Sequence, residues 1–208
     1  MTRVFDISLP ISEAMAIYPG NPKVTIKPLL SVSGGSRLSE ITFGSHTGTH
    51  LDAPNHAIGN KDGIETIPLK TFYGRCRVVD MTKCEEAITV KDIKRHKIKS
   101  HERVLFKTTN SLRGYKKFYD DYVYLDSEAA EYLASIDSTL VGIDALSIKK
   151  KGLGDNTAHT ALLNKEIPIL EGINLAEIDA GEYTLCAFPL DFQGIDGSPV
   201  RAVLLSSS

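Results

Sequence analysis

The chain has 208 residues, 42% hydrophobic and 24% charged, with 24 Lys+Arg against 26 Asp+Glu and a formal charge of −2. A chain of this size buries about 70% of the surface it would expose unfolded, which with this composition excludes disordered, collagenous and coiled-coil classes. The near-neutral charge offers no general attraction to nucleic acid or anionic lipid, and three cysteines without a C-x-x-C pair exclude a disulfide framework, a zinc ribbon and a thioredoxin-like motif.

Asp6 and Glu13 interrupt the apolar runs of the N-terminal segment. No run of about 18 apolar residues occurs, so neither a secretory signal nor a membrane span is expected, and the expected location is cytoplasmic. Tyr18-Pro19-Gly20-Asn21-Pro22 and Ser33-Gly34-Gly35 read as turns. Around them, Val24, Ile26 and Pro28 alternate with polar residues, and Leu38, Ile41 and Phe43 lead toward Ser45, as strands do. Arg75 to Met81 and Arg103 to Thr108 read as further strands, with a short helix capped by Thr89 between them.

A longer helix starts at Asp126 or Ser127, with Ala129, Ala130, Leu133, Ala134 and Ile136 at helical spacing, and Leu140 to Ile143 follows as a buried strand. Asn156 or Thr157 caps a helix carrying Ala158, Ala161, Leu162 and Leu163. Strands are then expected at Pro168 to Leu170, Tyr183 to Phe188 and Val200 to Leu205. No repeat or linker divides the chain, so one α/β or α+β sheet domain over residues 1–208 is expected.

Three of the six histidines crowd into HTGTHLDAPNH: His46, His50 and His56, with Asp52 among them. Imidazole and carboxylate together suit zinc, manganese or iron. Gly48, the β-branched Thr47 and Thr49, and Pro54 oppose a continuous helix here. In a fully extended chain His46 and His50 would stand about 13 Å apart, too far to share an ion. A tight turn at Gly48, folding His46 back toward His50, resolves the conflict. From His50 the chain is expected to be extended, so that His50 and Asp52 point the same way, with Pro54 turning it before His56.

The segment matches H-x-G-T-H-x-D-x-P-x-H at every fixed position, and on it the chain resembles the cyclase family of metal-dependent hydrolases, which includes bacterial kynurenine formamidase. Tyr18-Pro19-Gly20 is similar to that family's aromatic-Pro-Gly turn, and Gly142-Ile143-Asp144 to its G-I-D strand end. His159 with Glu171, and Asp196-Gly197-Ser198-Pro199-Val200-Arg201, are similar to its distal His and Glu and its terminal D-G-S-P-x-R segment.

The resemblance implies a swivelling β/β/α-type single domain with a mostly β core and a few flanking helices, forming a homodimer or homotetramer. It implies that His46, His50 and Asp52 hold a first metal ion and that Asp52 bridges to a second held by His159 and Glu171. His56 is then the general acid/base. Zn²⁺, one or two ions per subunit, is the leading metal and Mn²⁺ the runner-up.

A bound divalent ion lowers the pKa of water to roughly 7, so a metal-bound hydroxide can attack a small amide or ester while His56 takes and returns the proton. No G-x-S-x-G elbow offers a serine nucleophile instead. The implied activity is an amidohydrolase of the arylformamidase kind, acting on an N-formyl arylamine such as N-formylkynurenine, a step of tryptophan catabolism.

Two alternatives stand beside this reading: hydrolysis of a cyclic amide, lactone or other small ester, and a non-catalytic metal-binding or ligand-binding module. Tyr18 is a candidate substrate-binding ring where kynurenine formamidases usually carry Trp, and this departure bears on the substrate more than on the reaction. Phe72 and Tyr73 could line a pocket, though a core role is expected. The basic stretch from Lys91 to Lys117 invites a nucleic-acid reading, against which a solvated helix and loop face is favoured, so the expected partner is a small-molecule substrate and neither nucleic acid nor membrane. Cys76, Cys84 and Cys186 are expected to be small buried residues.

Overall fold

A computed structural model describes residues 2–32 and 36–206; the turn expected at Ser33-Gly34-Gly35 lies outside the described residues. The strands are β1 (Arg3–Asp6), β2 (Thr25–Val32), β3 (Ser36–Thr42), β4 (His50–Asp52), β5 (Tyr73–Asp80), β6 (Ala87–Ile88), β7 (Arg103–Lys107), β8 (Tyr124–Leu125), β9 (Leu140–Ile143), β10 (Ile169–Glu171), β11 (Gly181–Cys186), β12 (Gly197–Pro199) and β13 (Val203–Ser206). The helices are α1 (Val90–Arg95), α2 (Thr109–Arg113), α3 (Ser127–Ser135) and α4 (Thr157–Leu163).

Nine strands form one mixed sheet in the order β1-β13-β11-β5-β7-β9-β10-β4-β12. Its centre, β5-β7-β9-β10, is parallel, and the strands on both sides run antiparallel to their neighbours. The sheet curls until the chain that follows β1 meets the segment that follows β10. Beyond β1, the Ile7 amide donates to Ala202 O at 3.1 Å, while the Ile7 carbonyl accepts from Asn174 N at 2.8 Å. This is an α/β protein with a mostly β core.

The period-2 pattern explains the two cores. In β7, Val104 and Phe106 face the helices with Val141, Ile143, Ile169 and Leu133, while Leu105 faces inside the curl with Leu140, Leu170 and Leu204. Each such side chain, fully buried, contributes about 1.5–3 kcal/mol. Gly142 keeps the inner layer packed: a Cβ there would lie 2.4 Å from Leu105 Cδ2. Thr89 and Asp92 form a capping box at the start of α1, as the sequence suggests.

β2 and β3 pair only with each other, Ile26 opposite Ile41 and Leu29 opposite Leu38, and all four side chains are exposed. Alternation marks these strands, but Ile26 and Leu29 lie on opposite faces of a two-stranded ribbon, so they build no single apolar face. Val200 forms only an isolated bridge to Pro189, and β13 starts at Val203. Phe72 is fully buried, whereas Tyr73 is half exposed and stacks on Phe188 at 6.3 Å.

In the basic stretch, Lys107 Nζ donates to the carbonyls of Ala176 and Ile178, Arg103 binds those of Lys70, Thr71 and Arg75, and Arg113 pairs with Asp121. Cys76 is buried, which pushes its thiol up to about 12, while Cys84 and Cys186 are half-buried. Among the described residues no helix is long and apolar enough to cross a membrane.

Candidate metal centre

The site gathers where β4 lies against β10, Glu171 opposite His50 and Ile169 opposite Asp52. Two glycines make this approach possible. Gly48 has φ +65° and turns the chain between His46 and His50, whose rings come within 5.0 Å of each other. Gly172 also has φ +65°, and a Cβ on it would lie 2.3 Å from Gly48 O. Only glycine suits such a left-handed, crowded position. Thr49 fastens the junction: its hydroxyl donates to Gly172 O at 2.5 Å and accepts from Leu9 N at 2.8 Å. Pro54 starts a 3-10 turn, Pro54–His56, that swings His56 over the cluster, its ring 4.1 Å from that of His46 and 5.2 Å from that of His159.

His159 lies on the first turn of α4, and its Nδ1 meets Asn156 Oδ1 at 3.1 Å. Asn156 occupies the N-cap position, yet its side chain makes no capping bond and orients this imidazole instead. His50 Nδ1 likewise donates to Gly48 O at 3.0 Å. Both rings therefore turn Nε2 inward. His50 Nε2 stands 3.5 Å from Asp52 Oδ1 and 3.3 Å from Glu171 Oε2, and His159 Nε2 stands 3.7 Å from Asp52 Oδ2 and 3.4 Å from Glu171 Oε1. Glu171 also accepts from Ile148 N at 2.6 Å.

These residues fit a divalent cation. His50 Nε2 and Asp52 Oδ2 are buried without a hydrogen-bond partner among the described residues, a condition that costs about 1–3 kcal/mol per neutral group and more for a charged one. The inward separations of 3.3–3.7 Å are long for hydrogen bonds. They match the ~3.4 Å between two donors that each bind one tetrahedral ion at about 2.1 Å.

By proximity of their donor atoms, His50, Asp52 and Glu171 form one trio and His46, Asp52 and His56 another. Asp52 belongs to both, and the trios cut across the pairs of ions that the resemblance implies.

Charge is tightly balanced here. Burial opposes protonation of His46 and His50, but hydrogen bonds to Asp196 and Asp52 lift His46 to about 10, and the nearby carboxylates of Asp52 and Glu171 lift His50 to about 9. Burial would raise Asp52, yet His56, His46 and His50 hold it well below the usual carboxylate range. Burial also pulls His56 below its ordinary value, keeping that ring neutral near pH 7. No side-chain hydrogen bond engages His56 among the described residues, so its nitrogens stay available.

The cluster opens into a pocket of about 370 Å³ that Tyr18, Asn21, Leu146 and Lys149 also line. Tyr18 opens a tight turn, with Asn21 N donating to Tyr18 O at 3.0 Å and Gly20 at φ +100°, and its ring meets Phe118 edge-on at 5.2 Å.

Asp196 was legible only as part of a motif, yet its Oδ2 lies 2.9 Å from His46 Nε2 and 3.8 Å from His56 Nδ1. The signal was its place in the D-G-S-P segment; what brings it here is the pairing of β12 with β4, Gly197 opposite Asp52.

Buried imidazoles and carboxylates opening into a pocket on a curled mixed sheet define the class: a metallohydrolase-like protein. The family model described as "Putative cyclase" matches residues 5–150, and the chain belongs to the cyclase family. It is 36% identical over 204 residues to the kynurenine formamidase of Salinibacter ruber, covering 97% of this chain and 96% of that protein.

A solved structure of a "potential metal-dependent hydrolase with cyclase activity" is 34% identical, with TM-score 0.90 and all of both chains covered. A "predicted metal-dependent hydrolase" from Bacillus stearothermophilus is also 34% identical, with TM-score 0.88, covering 99% of this chain and 98% of that one. An isatin hydrolase bound to thioisatinate, 22% identical with TM-score 0.86 and covering 100% of this chain and 93% of that one, shares the fold.

Proposed function

We propose that this chain is a metal-dependent hydrolase of small amides, and that an N-formyl arylamine of the N-formylkynurenine type is its substrate. The observation that carries the reaction class is the orphaned pair His50 Nε2 and Asp52 Oδ2 inside a set of imidazoles and carboxylates that opens into a pocket. The substrate class rests on the 36% identity to a kynurenine formamidase over nearly the whole chain. It is also supported by a pocket that joins an aromatic ring, Tyr18, to a lysine, Lys149. An aryl group suits the former and a substrate carboxylate the latter.

His46, His50, Asp52, His159 and Glu171 would hold the metal, and the mixed donor set favours zinc, then manganese. When bound, a divalent cation lowers the pKa of water to about 7 and polarises the carbonyl under attack. The protein supplies the rest. Glu171, fixed by Ile148 N, and His159, fixed by Asn156, hold their donor atoms in place before substrate arrives. His56, neutral and with no side-chain hydrogen bond among the described residues, takes a proton from the attacking water and returns it to the departing amine nitrogen. Tyr18 packs the aryl group beside Phe118, which keeps bulk water from that side of the pocket.

The test is the rate of N-formylkynurenine hydrolysis by zinc-loaded protein, followed by absorbance, with His56→Ala alongside. Turnover is expected, falling ~10²–10⁴-fold in the variant. Turnover that His56→Ala leaves unchanged overturns the acid/base assignment. Bound zinc without turnover on this substrate, but with turnover on a lactam or lactone, moves the substrate to the cyclic class.

A further inference from the structure

We propose that Asp196 is a positioning residue that fixes the proton of His46 on Nε2 and so presents Nδ1 to the cation; this rests on the metal reading above. Each imidazole assigned to metal binding has an outer acceptor. His50 Nδ1 has the Gly48 carbonyl at 3.0 Å, His159 Nδ1 has the Asn156 amide oxygen at 3.1 Å, and His46 Nε2 has Asp196 Oδ2 at 2.9 Å. His46 differs in two ways: its outer acceptor is a carboxylate, and its inward nitrogen is Nδ1, 2.8 Å from Asp52 Oδ1.

A neutral imidazole carries one N–H and one lone pair. With a carboxylate at each nitrogen, the ring alone does not decide which end keeps the proton. A cation at Asp52 needs the lone pair on Nδ1, which leaves the N–H on Nε2 for Asp196 to accept. A charged acceptor strengthens that hydrogen bond and raises the basicity of the ligating nitrogen.

Asp196 is itself held still. Its carbonyl accepts from Ala53 N at 2.9 Å, one residue beyond Asp52. The next residue, Gly197, lies so close to the His46 ring that a Cβ there would stand 3.0 Å from Cε1. The same segment therefore clamps the ring and supplies its acceptor.

The experiment is a chelator-competition titration of Zn²⁺ into wild-type protein, Asp196→Ala and Asp196→Asn, with circular dichroism checking the fold of each. Asp196→Ala is expected to bind zinc ~10–100-fold more weakly. Asp196→Asn, whose amide oxygen still accepts a neutral hydrogen bond, should fall between it and wild type. Long-range ¹H–¹⁵N spectra of the zinc-loaded wild-type protein should show the His46 proton on Nε2.

Affinities within twofold of wild type in both variants overturn the inference, as does a proton on Nδ1. Should Asp196→Ala fail to fold, Asp196→Asn and the wild-type spectrum still decide it. A wild-type chain that binds no zinc overturns the metal reading itself, a different result from unchanged affinity in the variants.

Discussion

The chain buries two aspartates completely, Asp52 at the end of β4 and Asp144 just beyond β9, and surrounds them in opposite ways. Asp144 accepts from Thr108 N at 2.9 Å, Thr108 Oγ1 at 2.6 Å and Ser111 N at 3.1 Å, so it ties the start of α2 to the sheet with neutral donors. Burial pushes its carboxyl up, and those hydrogen bonds only partly offset the shift. Asp52 faces imidazoles, keeps one oxygen without a partner among the described residues and sits far below the usual range. Equal burial therefore says little about role. A carboxylate whose donors are all in place holds a fold together, and one left with an open oxygen among other ligand atoms is arranged for something that arrives later.

Substitutions can break this contrast, beginning with the largest effect. Asp52→Asn is expected to abolish stoichiometric zinc binding and turnover, while shifting the unfolding midpoint of the metal-free chain less than Asp144→Ala does. Metal analysis and urea unfolding on the same preparations would check both. Asp144→Ala leaves the amides of Thr108 and Ser111 buried without their acceptor and should cost about 3 kcal/mol of stability, yet the folded fraction should still bind zinc.

Gly172→Ala tests the junction between the two regions. It forces a left-handed side chain against Gly48 O and should cost about 2–3 kcal/mol. Because it pushes Glu171 away from His50, zinc affinity should fall as well, read by chelator competition. Thr89→Ala removes the capping box of α1, which hydrogen-bonds to neither Asp52 nor Asp144, and should cost about 1 kcal/mol in thermal or urea unfolding without changing turnover.

Much of the site was legible because its first four residues are local. The glycine turn, the extended run from His50 and the proline turn before His56 all follow from residues within HTGTHLDAPNH, and Gly48 at φ +65° and the Pro54–His56 turn are where those residues place them. Helices α1, α3 and α4 and strands β5, β7, β9 and β10 were legible from caps and apolar period.

β1, β6, β8 and β12 are two to four residues long and lie outside any continuous apolar run or alternation that would mark them as strands. Helix α2 has five residues, and its start is secured by Asp144, 33 residues from Ser111, which no local pattern reveals. The approach of Asp196 to His46 spans 150 residues and depends on strand register. Apolar alternation in β2 and β3 could mark strands but not reveal that no core would cover them.

The pairing of Arg3 with Ser206 and of Gly197 with Asp52 has a consequence for synthesis. A ribosome delivers His46, His50 and Asp52 early, but the carboxylate that touches His46 emerges 150 residues after it, together with the strand that flanks β4. Until then β4 lacks its outer neighbour and β1 has no partner in the sheet. Contacts this distant in sequence form slowly, so a nascent or truncated chain carries His46, His50 and Asp52 without the frame that orders them. On the metal reading proposed above, metal capture with full affinity would report that the last strands have been made and docked.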